Sequence, residues 1–207
     1  MMDELIRSCE ERDLDGVIKY FNTEVFPVDE KEQGGYIIES VIRNSDLEIL
    51  EILLKNNIVF DERCLEFLPF AHEDIFLKVY KYIETHKKAL KINFNHYPDF
   101  LLDICKSYSS TEKMFSLAID SGYFDINYVD NTGKNVAHII VIFNKLGFMK
   151  CLETKRVNYI EKDNKGWTIF DYAMRRESKD ILAEIVGLKE VMFSLFVKNH
   201  GLDQFIK

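Results

Sequence analysis

The side chains best suited to metal binding or nucleophilic chemistry are five histidines and four cysteines, and their spacing supports neither. His72, His86, His96, His138 and His200 share no metal-ligand spacing, and no H-E-x-x-H occurs. Cys9, Cys64, Cys105 and Cys151 are widely and evenly scattered, without a C-x-x-C pair. Zinc and dithiol motifs are therefore unsupported, and the cysteines read as reduced, mostly buried thiols of a cytosolic or nuclear compartment. The glycines form no G-x-x-x-x-G-K-S/T, no G-x-G-x-x-G and no G-x-S-x-G, so neither a phosphate cradle nor a nucleophile elbow is encoded. Paired acids such as Glu10 with Glu11, or Glu161 with Asp163, read as solvated turn charges. Catalysis needs groups that converge, and no spacing here brings them together. A non-enzymatic protein without metal or cofactor is expected.

The spacing that does repeat is structural. Asp130-Asn-Thr-Gly133-Lys-Asn-Val-Ala137-His138-Ile-Ile140 has a second copy in Asp163-Asn-Lys-Gly166-Trp-Thr168-Ile-Phe170-Asp171-Tyr-Ala173. The step from Asp130 to Asp163 equals the step from Gly133 to Gly166. Asp-Asn-x-Gly is turn chemistry: Asp and Asn bond their own backbone, and Gly permits a positive φ. Thr168, just after the turn, can accept a backbone N–H and cap a helix. A period of 33 made of a turn and two helices, with a T-P-L-H-x-A signature, marks ankyrin repeats. This sequence resembles that family, with Asn135-Val-Ala-His138-Ile-Ile140 and Thr168-Ile-Phe-Asp171-Tyr-Ala173 in the signature. Proline is missing from both copies, and Thr and His each survive once. The resemblance gives His138 a structural role, bonding neighbouring backbone to tie one repeat to the next. It makes Ala173 the small residue that lets helices approach, and Ile140 in that slot implies locally wider packing.

The same frame extends along the chain. Leu5, Ile6 and Cys9, then Leu14, Val17, Ile18 and Phe21, sit at helical spacing on either side of Glu11–Asp13, which predicts an N-terminal capping pair over 1–30. In 31–60, Lys31 to Val41 takes the place of turn and first helix, and Asp46 to Asn57 forms a second helix with a broad apolar face. Unit 61–97 is degenerate: Leu65, Leu68 and Phe70 mark a shortened first part that Pro69 ends or bends, and Glu73 to Ile83 is the second helix. Residues 84–96, with Lys87, Lys88 and Lys91, read as an irregular basic connection. In 98–129 the helices are Asp99–Lys106 and Thr111–Gly122, with Gly122 a C-cap signal. Repeats 130–162 and 163–187 place their second helices around Leu146–Thr154 and Ser178–Gly187. Residues 188–207 read as a C-terminal cap over the last apolar face, with a docking tail as the alternative. The expected fold is all-α, one ankyrin-repeat solenoid of about five to six helix-turn-helix units spanning residues 1–207.

Net charge is −8, and residues 1–66 hold 17 acids against 7 bases while the remainder hold 18 against 20. An acidic first third repels phosphates and argues against nucleic acid as a partner. No stretch approaches the roughly 18 apolar residues of a membrane span. The resemblance implies a protein-interaction module, an adaptor or inhibitor, that binds another protein through a concave face of turn tips and first helices. It puts partner-facing positions at Asn131, Thr132 and Lys134, then Asn164, Lys165 and Trp167, in the turns. At the helix ends they are Ile142 and Phe143, then Arg175 and Arg176; in the first full repeat the equivalents are Glu32, Gln33, Arg43 and Asn44.

Trp167 is the only tryptophan, and an exposed Trp beside Arg has hot-spot composition; the alternative is a ring that shields the repeat interface. Ile142 and Phe143 either extend an apolar contact patch with Trp167 or turn into the core. A monomer in the cytoplasm or nucleus is expected. Repeats this divergent resemble those of viruses, intracellular bacteria and unicellular parasites, which implies a host-directed role inside a host cell. The alternative function is a structural or assembly subunit built permanently into a larger complex.

Overall fold

The computed structural model describes residues 2–23 and 31–187, and among them every regular element is helical. The α-helices follow in pairs: α1 (Met2–Glu10) and α2 (Leu14–Thr23), α3 (Lys31–Asn44) and α4 (Leu47–Lys55), α5 (Cys64–Phe67) and α6 (Glu73–Leu90). Then come α7 (Phe100–Lys106) and α8 (Glu112–Asp120), α9 (Val136–Ile142) and α10 (Leu146–Cys151), α11 (Ile169–Arg176) and α12 (Lys179–Gly187). They belong to two compact units, one of residues up to 100 with 107–114, the other of 101–106 with residues from 115 on.

In the first unit α1 packs on α2 and on α3, α2 on α4, α3 on α5, and α4 on α6. First helices thus form one layer and second helices another. The cause is the apolar stripe each helix carries: Leu5, Cys9, Val17, Ile37, Ile38, Val41, Ile49, Leu50 and Leu53 are all fully buried. Each large apolar side chain so removed from water contributes about 1.5–3 kcal/mol. The second unit repeats the scheme, with α9 on α10 and α11, and α12 on α10 and α11. Ala137, Ile140, Ile169, Ala173, Ile181 and Ile185 are fully buried there.

The turn inside a pair recurs in backbone geometry rather than in sequence. Arg12 (φ 59°), Ser45 (φ 54°), Asn144 (φ 54°) and Glu177 (φ 53°) are all left-handed. The step from Arg12 to Ser45 equals that from Asn144 to Glu177, and both equal the step between the two Asp-Asn-x-Gly turns. After three of them the next N–H reaches back to the carbonyl five positions earlier: Asp13 to Ser8 (2.8 Å), Asp46 to Val41 (3.3 Å) and Lys145 to Ile140 (3.0 Å). That bond closes the helix end as a Schellman motif. Asp46 then caps α4, its side chain accepting the Ile49 N–H at 3.2 Å.

Two expectations need correction. Glu32 and Gln33, expected in a turn, lie in the first turn of α3. Gly34 sits inside that helix, where a Cβ would collide with the Val59 carbonyl; the glycine serves close approach of the chain rather than a turn. The stretch 84–96, expected to be irregular, is helical as far as Leu90. Only His86 (φ −109°, ψ 15°) departs from helical geometry within it. Glu84, Lys87, Lys88 and Ala89 are good helix formers, and the buried Leu90 anchors the end. Pro69 does end the first part of its unit, in a 3-10 turn over Leu68–Phe70 directly after the short α5. The C-terminal cap or tail at 188–207 lies outside the described residues.

Candidate functional site

Two copies of one turn build the candidate site. In the first, the Gly133 N–H donates to the Asp130 carbonyl at 2.9 Å, and the Asp130 N–H to the Lys134 carbonyl at 2.9 Å. The Thr132 and Lys134 N–H groups donate to Asp130 Oδ1 at 2.8 and 3.0 Å. In the second, Gly166 donates to the Asp163 carbonyl at 2.8 Å and Asp163 to the Trp167 carbonyl at 2.9 Å. Lys165 and Trp167 donate to Asp163 Oδ1 at 2.9 and 3.0 Å. Gly133 (φ 78°) and Gly166 (φ 77°) supply the positive φ in each. The turns are joined by the Asn164 N–H on the Thr132 carbonyl (3.0 Å) and the Asn164 amide on the Asn131 carbonyl (3.0 Å).

His138, fully buried, adds a further tie: its Nε2 donates to the Trp167 carbonyl at 3.3 Å. Burial holds its imidazole below the usual range against the opposing pull of that carbonyl and of Asp163, so the ring is neutral.

Behind the second turn lies a buried ionic knot. The Asp163 carboxylate, with no side-chain exposure, faces the Lys134 ammonium at 3.4 Å and accepts the Tyr172 hydroxyl at 2.6 Å. Burial pushes the Asp163 carboxyl up, but Tyr172, the two turn N–H groups and Lys134 together outweigh it and hold it at about 2. Burial, with the bond to Asp163, pushes the Tyr172 phenol up to about 12.

In front of the knot lies an open depression of about 330 Å³ lined by Ile142, Lys165, Trp167, Tyr172, Arg175 and Arg176. Thr168 caps α11, its hydroxyl accepting the Asp171 N–H while Asp171 accepts from Thr168. That cap puts Trp167 at the position before the cap and Tyr172 at the fourth position of the helix, the pairing of a hydrophobic staple. The rings meet edge-on at 5.2 Å. One turn further on, the Arg175 guanidinium lies 4.7 Å from the Trp167 ring centre, and the Lys165 ammonium lies 5.8 Å from it. Such cation–ring contacts contribute about 0.5–1 kcal/mol at exposed sites.

Of the positions derived from the sequence, Ile142, Lys165, Trp167, Arg175 and Arg176 therefore share one depression. Trp167 and Ile142 are half-buried, neither in the core nor fully presented. The others serve elsewhere. Lys134, its side chain 15% exposed, is turned inward to Asp163, because that buried carboxylate needs a counter-charge. Asn131 and Asn164 are exposed but bonded to each other across the turns. Phe143 is the half-buried residue that ends α9 and does not line the depression. Tyr172 is the lining residue the sequence reading missed; its signal is the i, i+3, i+4 spacing of Tyr172, Arg175 and Arg176 on one helical face.

Other chemistry is poorly provided for. Burial pushes the Cys9 thiol up to about 12 and the Cys64 and Cys105 thiols well above their usual range, which leaves them unreactive. Among the described residues no cluster of His, Cys, Asp or Glu could hold a metal ion, and no helix is long and apolar enough to cross a membrane.

No protein-family model matches the sequence, and no curated protein matches it. A solved structure does: the crystal structure of EF0377, an ankyrin repeat protein, matches with a TM-score of 0.54 at 17% identity, over 91% of this chain and 99% of that one. At that identity the likeness is one of fold. The chain has an ankyrin-like repeat fold, all-helical among the described residues. Folds of this class are in general scaffolds for protein recognition rather than catalysis.

Proposed function

We propose that this chain is a non-enzymatic adaptor or inhibitor that binds another protein through the face carrying Trp167, Lys165, Arg175 and Arg176. One observation carries the reading: an aromatic ring, half-buried and flanked by cations, lining an open depression. Trp and Arg are the side chains that most often dominate interface energies, because they bring large contact area and directed N–H donors together. The buried thiols fit action in a reducing compartment, cytoplasm or nucleus, and a host-directed role remains part of the proposal.

The test is an affinity capture from cell lysate with mass spectrometry, comparing the wild type with Trp167→Ala plus Arg175→Ala. A discrete partner lost in the double variant supports the reading. A partner retained by the variant moves the interaction off this face. Failure to capture any discrete protein overturns the adaptor.

A further inference from the structure

We infer that the Trp167 depression takes an acidic peptide segment, its carboxylates on the rim cations and one bulky apolar side chain on the aromatic floor. This rests on the interaction reading above and specifies the chemistry of the partner. Charge is the first argument. Among the described residues, Arg12, Arg43, Lys78, Lys113 and Lys155 each face a carboxylate. Like several other cations, Lys165, Arg175 and Arg176 face none among the described residues, but these three share one depression on a chain that is acidic overall at −8. Two carboxylates close to them in sequence are spent on other partners, whereas Glu177 and Asp180 stay exposed. Asp163 is buried on Tyr172 and Lys134, and Asp171 accepts the Thr168 N–H and hydroxyl, both at 2.8 Å.

Geometry is the second argument. The Arg175 guanidinium lies over the Trp167 ring, 4.7 Å from its centre, and a guanidinium held on a ring still has N–H groups to fork onto a carboxylate. A cationic ligand finds no place there, because cations already occupy the ring. Size is the third. At about 330 Å³ the depression lies near the lower end of the ~300–1,000 Å³ of small-molecule sites, and being open it suits one or two side chains of an extended segment. Nucleic acid would want a longer basic track than three cations on an acidic chain.

The experiment pans a random dodecapeptide library displayed on phage against the immobilised full chain. Selected peptides are then titrated and followed by the fluorescence of Trp167, the sole tryptophan. The expected result is enrichment of peptides with several Asp or Glu around a Leu, Phe or Trp. Their binding should shift the Trp167 emission and weaken by about tenfold between low and physiological salt. Lys165→Glu, in the turn, and Arg175→Glu plus Arg176→Glu, on the helix, should each weaken it by about tenfold or more, and Lys150→Glu should leave it unchanged. Two separate variants guard against a helix that fails to form, which circular dichroism reports.

Enrichment of basic or uncharged peptides, no enrichment, or a dodecameric oligothymidine bound as tightly as the best peptide overturns the inference. The outcomes separate from those of the lysate capture. A captured partner with no acidic peptide selected leaves an interaction module without this specificity. An acidic peptide bound with no partner captured leaves the site and removes the adaptor.

Discussion

The two turns at Asp130–Lys134 and Asp163–Trp167 share their hydrogen bonds, their glycine φ and their spacing to the next helix, yet they do different things. The first is covered by the second. Its Lys134 side chain reaches forward to the Asp163 carboxylate, and its Gly133 lies so close to the next turn that a Cβ would stand 2.8 Å from the Asn164 nitrogen. The second has no third copy to lean on in the sequence, since Phe196 stands one repeat length past Asp163. The same position that holds Lys134 in one turn holds Trp167 in the other, and the ring packs back on its own helix instead of forward. Among the described residues, a repeat position is thus structural or presented according to whether a neighbour supplies its partner.

The largest test of that contrast is the carboxylate at the start of each turn. Asp163→Ala leaves the Lys134 charge without its partner and the Tyr172 hydroxyl without an acceptor, and should cost about 4 kcal/mol by urea unfolding. Asp130→Ala removes turn bonds at a part-exposed site and should cost about 1–2 kcal/mol. Equal losses would break the comparison. The pH dependence sharpens it. Because the folded Asp163 carboxyl is held at about 2, below its ordinary 3.8, its contribution is complete above 3.8 and is lost as pH falls towards 2. The stability gap between wild type and Asp163→Asn should therefore narrow across that window. The Tyr172 contribution runs the other way, complete below pH 10.0 and lost as pH rises towards 12.

The glycines come next. Gly133→Ala meets both a left-handed φ and the Asn164 backbone, and should cost about 3 kcal/mol. Gly166→Ala meets only the φ, with no described residue within 4 Å of the added Cβ, and should cost about 1 kcal/mol. Thermal unfolding of the two variants side by side decides whether neighbour contact or turn geometry dominates.

Smaller still is Trp167→Ala, which deletes the staple and should cost about 1 kcal/mol of stability while abolishing most of the binding measured by peptide titration. If it unfolds the protein instead, Trp167 is structural and the presented turn is no different from the covered one. Smallest is Glu177→Gly, which relieves a left-handed non-glycine and should stabilise by up to about 1 kcal/mol, with Asn144→Gly gaining less because Asn tolerates that region.

Much of this was legible in the residues. The repeat interval, the Asp-Asn-x-Gly turns, the Thr168 cap and the apolar stripes of α2, α4 and α8 are local patterns, and local patterns survive in sequence because hydrogen bonding and burial act on near neighbours along the chain. What misled was equally local. Gly34-Gly35 looks like turn chemistry, but the space left at Gly34 is filled by the Val59 carbonyl from a distant segment. Residues 84–90 lack an apolar stripe, so a helix held by propensity, by the His86 ring stacked on Tyr82 and by the buried Leu90 left no periodic mark. The grouping of Ile142 with Lys165, Trp167, Arg175 and Arg176 followed from the repeat frame, whereas the removal of Lys134 from that group did not.

The sequence by itself determined a helical repeat of fixed period, turns opened by glycine and closed by aspartate, and the absence of any spacing suited to metal or nucleophile. The tertiary structure alone decided which of two like positions faces outward. That choice depends on Asp163, a carboxylate with no exposure that must be neutralised; burying it drew Lys134 and Tyr172 inward and left Lys165, Arg175 and Arg176 without a carboxylate among the described residues. No pattern along the chain records such a decision, because the cost of a buried charge is set by what packs around it in space.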